Sequence, residues 1–378
     1  MPRTPKIRVG LIGVGNWAVN GHLPALELLP DYEVTAVYGR RPDHAAAVAR
    51  RFGIPHVLET PEAVARHPAV DLVLVLTTAP QHAEGIRTAI AAGKHVYGEW
   101  PLTTSTAIAE DLLARAEAAG VRHVVGLQRR LSPTNRYLRH LLAEGYIGKL
   151  RSARLHVSMN YFQDVRAGAL RWTVPPENFS SVIAIYAGHF LDALFQVVGR
   201  PASHSSLLVN QFPTVTIRET GEVIPTTTPD QLVMAGRLAG DAVFQAHVET
   251  KRNGSGVTLD LTGDRGDLRV TNVSAFGGVG EDYRIEGAHG DNLPLRPLAV
   301  PAGHDWMPPA ALASSTIELG QLYAALARDL REGTATAPSF ADAVWLHRLF
   351  DGMALSSETG RRVATDAEEP VYGRRHAG

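Results

Sequence analysis

The chain has no cysteine among its 378 residues. That absence excludes disulfides, thiolate nucleophiles and Cys-ligated zinc together, and it fits a cytoplasmic location. Charge of one sign is missing too: 37 Lys and Arg stand against 38 Asp and Glu, a formal net charge of −1. This balance offers no electrostatic footprint for nucleic acid or for an anionic membrane. No apolar run approaches the roughly 20 residues that span a bilayer. The start, MPRTPKIRVGLIGVGNW, has no separate apolar block or small-residue cleavage site of a signal peptide. Internal repeats and low-complexity tracts are absent.

The length exceeds one ordinary core and predicts two domains. Up to about residue 127, short apolar runs alternate with amphipathic helical ones. IRVGLIG, EVTAVYG, DLVLVLT, HVYGEW and RHVVGLQ read as buried parallel strands, apolar on both faces. PDHAAAVARRFG, PQHAEGIRTAIAAG and STAIAEDLLARAEAAG carry helical spacing, each with a starter and a glycine stop. The alternation predicts an α/β, doubly wound Rossmann domain over 1–127. From 128 to 378 the pattern predicts an α+β domain with a large open, mainly antiparallel sheet. A buried helix is expected in FSSVIAIYAGHFLDALFQVVG, and closing helices over about 315–360. Residues 275–312 read as a surface excursion and the final YGRRHAG as a frayed tail.

The run GVGNWA follows the first strand and opens a helix. Gly13 permits the tight turn, Gly15 lets backbone approach a pyrophosphate, and Ala18 allows close helix–strand packing. Asn16 and Trp17 stand at the helix start, where amides face phosphates. The alternative is an ordinary glycine-rich turn that binds nothing. An NAD site places an acidic residue at the end of the second strand for the ribose hydroxyls. Here VYGRRPD puts Gly39, Arg40 and Arg41 there instead. Glycine leaves room for a 2′-phosphate and two guanidiniums can neutralise it, which favours NADP(H) over NAD(H). The bland reading stacks Arg40 on adenine and leaves Arg41 solvated.

RVGLIGVGNWA, AAGKHVYGEWPL, VGLQRRLSP, EGYIGKLRSAR, GHFLDALFQVVG, GDRGDLRV and SFADAVWLHRLFDGMALSSETGR together resemble the Gfo/Idh/MocA oxidoreductase family, nearly end to end. The resemblance implies a substrate held between the two domains and a homodimer or homotetramer formed through the open sheet. It also implies a Glu-Lys-Pro motif and an Asp-x-x-x-His pair that serve the reacting hydroxyl or carbonyl. Glu99 and Pro101 match, but Trp100 stands at the lysine and Ile185 at the earlier aspartate; His189 and Asp192 match the later positions. GEWPL, GLQRRLSP and IYAGHFLDAL resemble the branch that contains the fungal galactose-regulon corepressor, a nucleotide-binding regulator. In TTAPQH, Thr77, Thr78 and His82 match the family's cofactor-side loop in part.

The remaining candidates follow from these matches. His189 reads as a satisfied core histidine or, with the resemblance, as the general acid/base; Asp192 could orient it or pair elsewhere. Tyr186, one turn earlier, could donate a phenol proton or simply pack. Gln128 and Arg129 end the last Rossmann strand, where ligands collect in open α/β sheets, and Arg129 is equally an ion-pair partner. Asn160, Tyr161 and Trp172 are candidate substrate contacts, Trp172 also a core anchor. No third ligand accompanies His189 and Asp192, so no metal is expected. The sequence thus points to an NADP(H)-dependent oxidoreductase acting on a sugar or sugar-like hydroxyl or ketone. The alternative is a non-catalytic NADP-binding regulator.

Overall fold

The structure, a computed structural model, describes residues 5–281 and 283–368; the terminal YGRRHAG lies outside them. The chain divides into two compact units: residues 1–128, 306–310 and 315–347, and residues 129–305, 311–314 and 348–378.

In the first unit β1 (Ile7–Ile12), β2 (Tyr32–Tyr38), β3 (His56–Val57), β4 (Leu72–Val75), β5 (His95–Glu99) and β6 (His123–Gly126) form one sheet in the order β3-β2-β1-β4-β5-β6. Every pair is parallel. Burial on both faces explains the unbroken apolar runs; all four residues of β4 are buried. The linking helices are α1 (Leu23–Glu27), α2 (Pro42–Phe52), α3 (Pro61–Arg66), α4 (Ala79–Ala91) and α5 (Thr106–Ala118). Thr60 and Ser105 cap α3 and α5 by accepting from the Ala63 and Ile108 amides. The strand order reverses between β1 and β4, the switch point beside which such sheets hold ligands. β3, two residues long, was too short to show as a periodic run.

In the second unit α6 (Pro133–Ala143) leads into β7 (Leu150–Met159), which lies inside a nine-stranded sheet. Its other strands are β9 (Pro201–Val209), β12 (Gln231–Leu238), β13 (Val243–Thr250), β14 (Gly256–Gly263), β15 (Gly266–Asn272), β16 (Arg284–His289), β17 (Arg296–Leu298) and β18 (Val363–Ala364). The order is β17-β16-β15-β14-β7-β13-β12-β9-β18, and only β7–β13 is parallel. A small sheet of β8 (Val165–Arg166), β10 (Thr214–Ile217) and β11 (Val223–Pro225) packs around Val174, Val215 and Ile217. One face of the large sheet buries Leu155, Val157, Met234 and Phe244, and Phe195 of α7 (Gly188–Val198) meets Phe244 edge to face at 5.2 Å. The opposite face alternates outward and leaves Leu207, Val233 and Val243 exposed on three adjacent strands.

Three sequence expectations change. Residues 275–312 are more than an excursion, since they supply β16 and β17 at the sheet edge; their Gly and Pro content masked two short strands. Residues Pro176–Val198 are, by length and composition, apolar enough to cross a membrane, against the expectation of no such run. Most of that stretch is buried inside the protein, as the core helix of a two-layer unit requires. Finally, α8 (Ser314–Glu332) falls, but for its first residue, in the first unit, as does α9 (Phe340–Thr359) up to His347. The reason is long-range packing: Tyr32 donates to the Tyr323 carbonyl at 2.7 Å, and Phe340 lies 5.1 Å from the His123 ring.

Candidate functional site

The glycine turn after β1 has the shape its sequence asks for. Gly13 sits at φ +106°, and a β-carbon there would meet the Leu76 backbone at 2.8 Å, so only glycine fits. Gly15 is exposed, and a β-carbon added to it meets nothing within 4 Å. Open space lies where a phosphate would approach. Exposed Asn16 begins the helix, and its first-turn amides have no intrahelical acceptors. Ala18 is buried.

The rim after β2 carries Arg40 and Arg41, both exposed and neither paired with a described residue. Gly39 is tightly packed: a β-carbon would lie 2.5 Å from Val14 Cγ2. Sequence reasoning missed His44, in the first turn of α2, whose Nε2 stands 3.0 Å from the Val14 carbonyl and fixes the glycine turn from outside. Its only local signal was a histidine just after the helix-starting proline.

Beyond β4, Thr77 Oγ1 is buried without a hydrogen-bond partner, and so is Gln128 Oε1 after β6. Such orphans are costly in a core, roughly 1–3 kcal/mol each, unless a ligand or water completes them. Thr78 is the N-cap of α4, and its side chain makes no capping bond. His82 is buried with Nδ1 2.9 Å from the Pro101 carbonyl and Nε2 3.0 Å from that of Thr77. It ties those two loops together, and burial holds it below its ordinary pKa. A cradle at Gly15 and two orphaned polar atoms fit a dinucleotide.

The Glu99-Trp100-Pro101 segment, joined by a cis Trp100–Pro101 bond, is the centre of a buried network. Glu99 Oε1 accepts from Tyr97 Oη at 2.9 Å, Trp17 Nε1 at 3.2 Å and His22 Nε2 at 2.6 Å. His22 Nδ1 lies 2.5 Å from the Tyr323 hydroxyl. Burial pushes the Tyr97 and Tyr323 phenols well above their ordinary range, so both stay protonated and act as donors. Tyr323 therefore occupies Nδ1 and leaves the His22 proton on Nε2, facing Glu99. His22 reaches this position from a π-helical turn, Ala18–His22, which re-aims the side chain within the helix. Trp100 is 4% exposed, with its ring 5.0 Å from that of His347. It brings no proton-carrying group to the lysine position. Sequence reasoning missed His22, Tyr97 and Tyr323; Tyr323 lies 301 residues from His22, and no local pattern marks that pairing.

In the second unit two candidates are engaged elsewhere. Arg130 donates to Asp192 with both Nε, at 2.8 Å, and Nη2, in a buried two-pronged pair. Arg129 donates to the Tyr283 hydroxyl and, at 3.2 Å, to the Ala275 carbonyl, with its guanidinium 4.3 Å over the Phe190 ring. His189 is half-buried in the first turn of α7. Tyr186, in the π-helical turn Ile183–Ala187, is pushed well above its ordinary range, first by burial and then by Tyr161, with Arg129 offsetting part. It stays protonated and can donate, but it is a poor proton shuttle. Asn160 and Tyr161 are exposed where the chain leaves β7. The Trp172 carbonyl accepts from Asn178 Nδ2 at 2.6 Å while its ring is half-buried. Among the described residues no cluster of three or more His, Asp or Glu could hold a metal ion.

Comparison with known proteins places the chain. A family profile described as "Oxidoreductase family, NAD-binding Rossmann fold" matches residues 7–127, and one described as "Gal80p, C-terminal domain" matches residues 133–272. The dehydrogenase aclE of Aspergillus oryzae is 30% identical over 290 residues, 71% of this chain and 78% of that protein. The chain belongs to the Gfo/Idh/MocA oxidoreductase family. Within it, the galactose/lactose metabolism regulatory protein GAL80 of Saccharomyces cerevisiae is 23% identical over 415 residues, 95% of this chain and 94% of the regulator. Levoglucosan dehydrogenase, solved with NADH and L-sorbose, shares the fold with a TM-score of 0.83 at 20% identity, covering 96% of this chain and 99% of that one. The family thus holds both dehydrogenases and a regulator.

Proposed function

We propose that this protein is an NADP(H)-dependent oxidoreductase acting on a hydroxyl or ketone of a sugar-like molecule. The observation that carries the reading is the nucleotide side: the open cradle at Gly15 together with the buried, unpartnered Thr77 Oγ1 and Gln128 Oε1. Gly13, Gly15, Asn16, Trp17 and Ala18 hold the pyrophosphate turn. Arg40 and Arg41 favour the 2′-phosphate of NADP(H) over the bare ribose of NAD(H). Thr77, Thr78 and Gln128 face the bound nucleotide, while His82, Glu99, Trp100 and Pro101 shape its pocket. The nicotinamide, when bound, supplies or accepts the hydride.

With Trp100 at the lysine position and Asp192 committed to Arg130, the proton falls to His189. Its imidazole takes the proton from a substrate hydroxyl in oxidation and returns it to the carbonyl oxygen in reduction. Tyr186 donates a hydrogen bond to the same oxygen, and Asn160, Tyr161 and Trp172 are the substrate contacts. Carboxylate capture by Arg129 has less support, because both its terminal nitrogens are already engaged. The exposed sheet face around Leu207, Val233 and Val243 is the proposed surface for a homodimer or homotetramer.

The burial of Trp100 favours one competing reading, a regulator that binds the nucleotide and transfers no hydride, as the match to the Gal80p C-terminal domain suggests. Single-turnover measurements at enzyme excess, NADPH against a panel of keto-sugars, separate the two. Turnover is expected in the parent, with a loss of at least ~100-fold in His189→Gln and unchanged NADPH binding. Tight NADPH binding without transfer to any ketone gives the regulator.

A further inference from the structure

The hydrogen-bonded group around Glu99 does more than shape a pocket, because it fixes where one charge lies. Four side chains of the first unit gather round that carboxylate: Trp17 and His22 from the start of the helix after β1, Tyr97 from β5, and Tyr323 from α8. Gly126 of β6 closes the remaining side. A β-carbon there would lie 2.7 Å from Glu99 Oε2 and 2.5 Å from the Tyr97 hydroxyl.

Each of the three donors to Glu99 Oε1 is uncharged. Trp17 offers an indole N–H, and Tyr97 a phenol that burial keeps protonated. His22 is fully buried, and its Nδ1 is taken up by the Tyr323 hydroxyl, which has no other hydrogen-bond partner among the described residues. A donor on Nδ1 leaves the imidazole one N–H, on Nε2, and no place for a second proton. Three accepted hydrogen bonds favour the charged form of a carboxyl group. In the sheet, Glu99 closes β5, next to β4 and on the far side of β1 from the arginine rim of β2. With the pyrophosphate at the glycine turn and the adenosine end at β2, the nicotinamide end falls to β4 and β5.

We propose that Glu99 is a fixed negative charge that favours the oxidised, positively charged nicotinamide over the reduced, neutral one. Tyr323 is the positioning residue that keeps His22 from offsetting that charge. The inference rests on the NADP(H) reading and adds a direction to it. Transfer of hydride from NADPH to a carbonyl carbon, with a proton to its oxygen, leaves a cation where a neutral ring stood. A carboxylate on that side stabilises the product, and the transition state leading to it, more than the reactant. The bound couple is therefore biased toward reduction of a ketone by NADPH. The pyrophosphate meets the same carboxylate in both redox states, so the ratio of the two affinities isolates the ring.

The test needs no substrate. Dissociation constants of NADP⁺ and NADPH are measured by calorimetry on the whole protein, and their ratio is taken for each variant. Glu99→Gln keeps the shape and drops the charge, and is expected to shift the ratio toward NADPH by ~10-fold or more. Glu99→Asp keeps the charge and should hold the ratio within ~3-fold of the parent, whatever both affinities lose. Tyr323→Phe opens Nδ1 to a second proton, so its ratio should move as in Glu99→Gln, but by less. A variant that merely loosens the pocket weakens both nucleotides together, and a partly unfolded sample lowers capacity; neither moves the ratio. Equal losses of both nucleotides in Glu99→Gln, a ratio in Glu99→Asp that falls as far as in Glu99→Gln, or an unmoved ratio in Tyr323→Phe would overturn the proposal. A parent that binds neither nucleotide would sink the NADP(H) reading and this inference with it. Two bound nucleotides with an unchanged ratio sink this inference alone.

Discussion

At the scale of single residues, Arg40 and Arg41 are the simplest lever. Both are exposed and without an ion pair to a described residue, so removing them breaks no described ion pair. Two charge-assisted contacts to a phosphate are together worth a factor of roughly 100. The double variant Arg40→Ala, Arg41→Ala is therefore expected to lose about that much NADPH affinity and to bind NADH within about twofold of the parent, by fluorescence titration. Equal losses for both nucleotides would show that the arginines do not read the 2′-phosphate. His204 gives a pH dependence. It is buried, with Nδ1 2.9 Å from Ser206 Oγ and Nε2 unpartnered, and burial holds it at about 4 against an ordinary 6.5. Between those values the unfolded chain binds a proton that the folded chain refuses. The stability this group contributes is complete above pH 6.5 and is lost as pH falls toward 4, on the order of 3 kcal/mol at 1.36 kcal/mol per pKa unit. Thermal melts between pH 7.5 and 4.5 should show a steeper acid decline in the parent than in His204→Asn.

At the scale of elements, the Arg130–Asp192 pair shows how α7 is fixed. One partner comes from the short helical turn Gln128–Leu131 and the other from α7, and both are almost fully buried. Removing one member strands the other charge, so Asp192→Ala should cost roughly 3–5 kcal/mol in urea unfolding. Asp192→Ala together with Arg130→Met should recover much of that loss. In the first unit β1, β2, β4, β5, β6, α2, α4 and α5 were legible because periodicity is local: strands apolar on both faces, helices with a starter and a glycine stop. In the second unit the alternation along β7, β12, β13, β14 and β15 is what makes a large, mainly antiparallel sheet legible as a whole. β3, β10 and β11 escaped because two to four residues carry no period. β9, PASHSSLLV, escaped because its serines and a histidine hide the alternation. In the site, the glycine turn and the arginine rim were legible because each is a contiguous motif. The Glu99 network was not, because its donors come from residues 17, 22 and 97, and the further link to His22 comes from residue 323. The same holds for Asp192: helical spacing placed it near His189, while its partner lies 62 residues away.

At the scale of the whole molecule, two consequences can be measured. Leu207 and Val233 lie opposite each other on adjacent strands, 52% and 41% exposed, and with Val243 they give the sheet an apolar outer patch. Burial of that patch against a second copy is the expected use. Val233→Asp should shift the protein toward monomer in light scattering at micromolar concentration and leave NADPH binding intact. The central claim, that a site with tryptophan at the lysine position still performs hydride transfer, is tested most directly by isotope. The protein, in excess, is mixed with NADPH deuterated at the transferable C4 position and a panel of keto-sugars, and the products are examined by mass spectrometry. Deuterium on the new carbinol carbon of at least one product, lost in His189→Gln, is the expected result. Tight NADPH binding with no deuterium in any product would contradict the claim and make this chain a nucleotide-binding regulator.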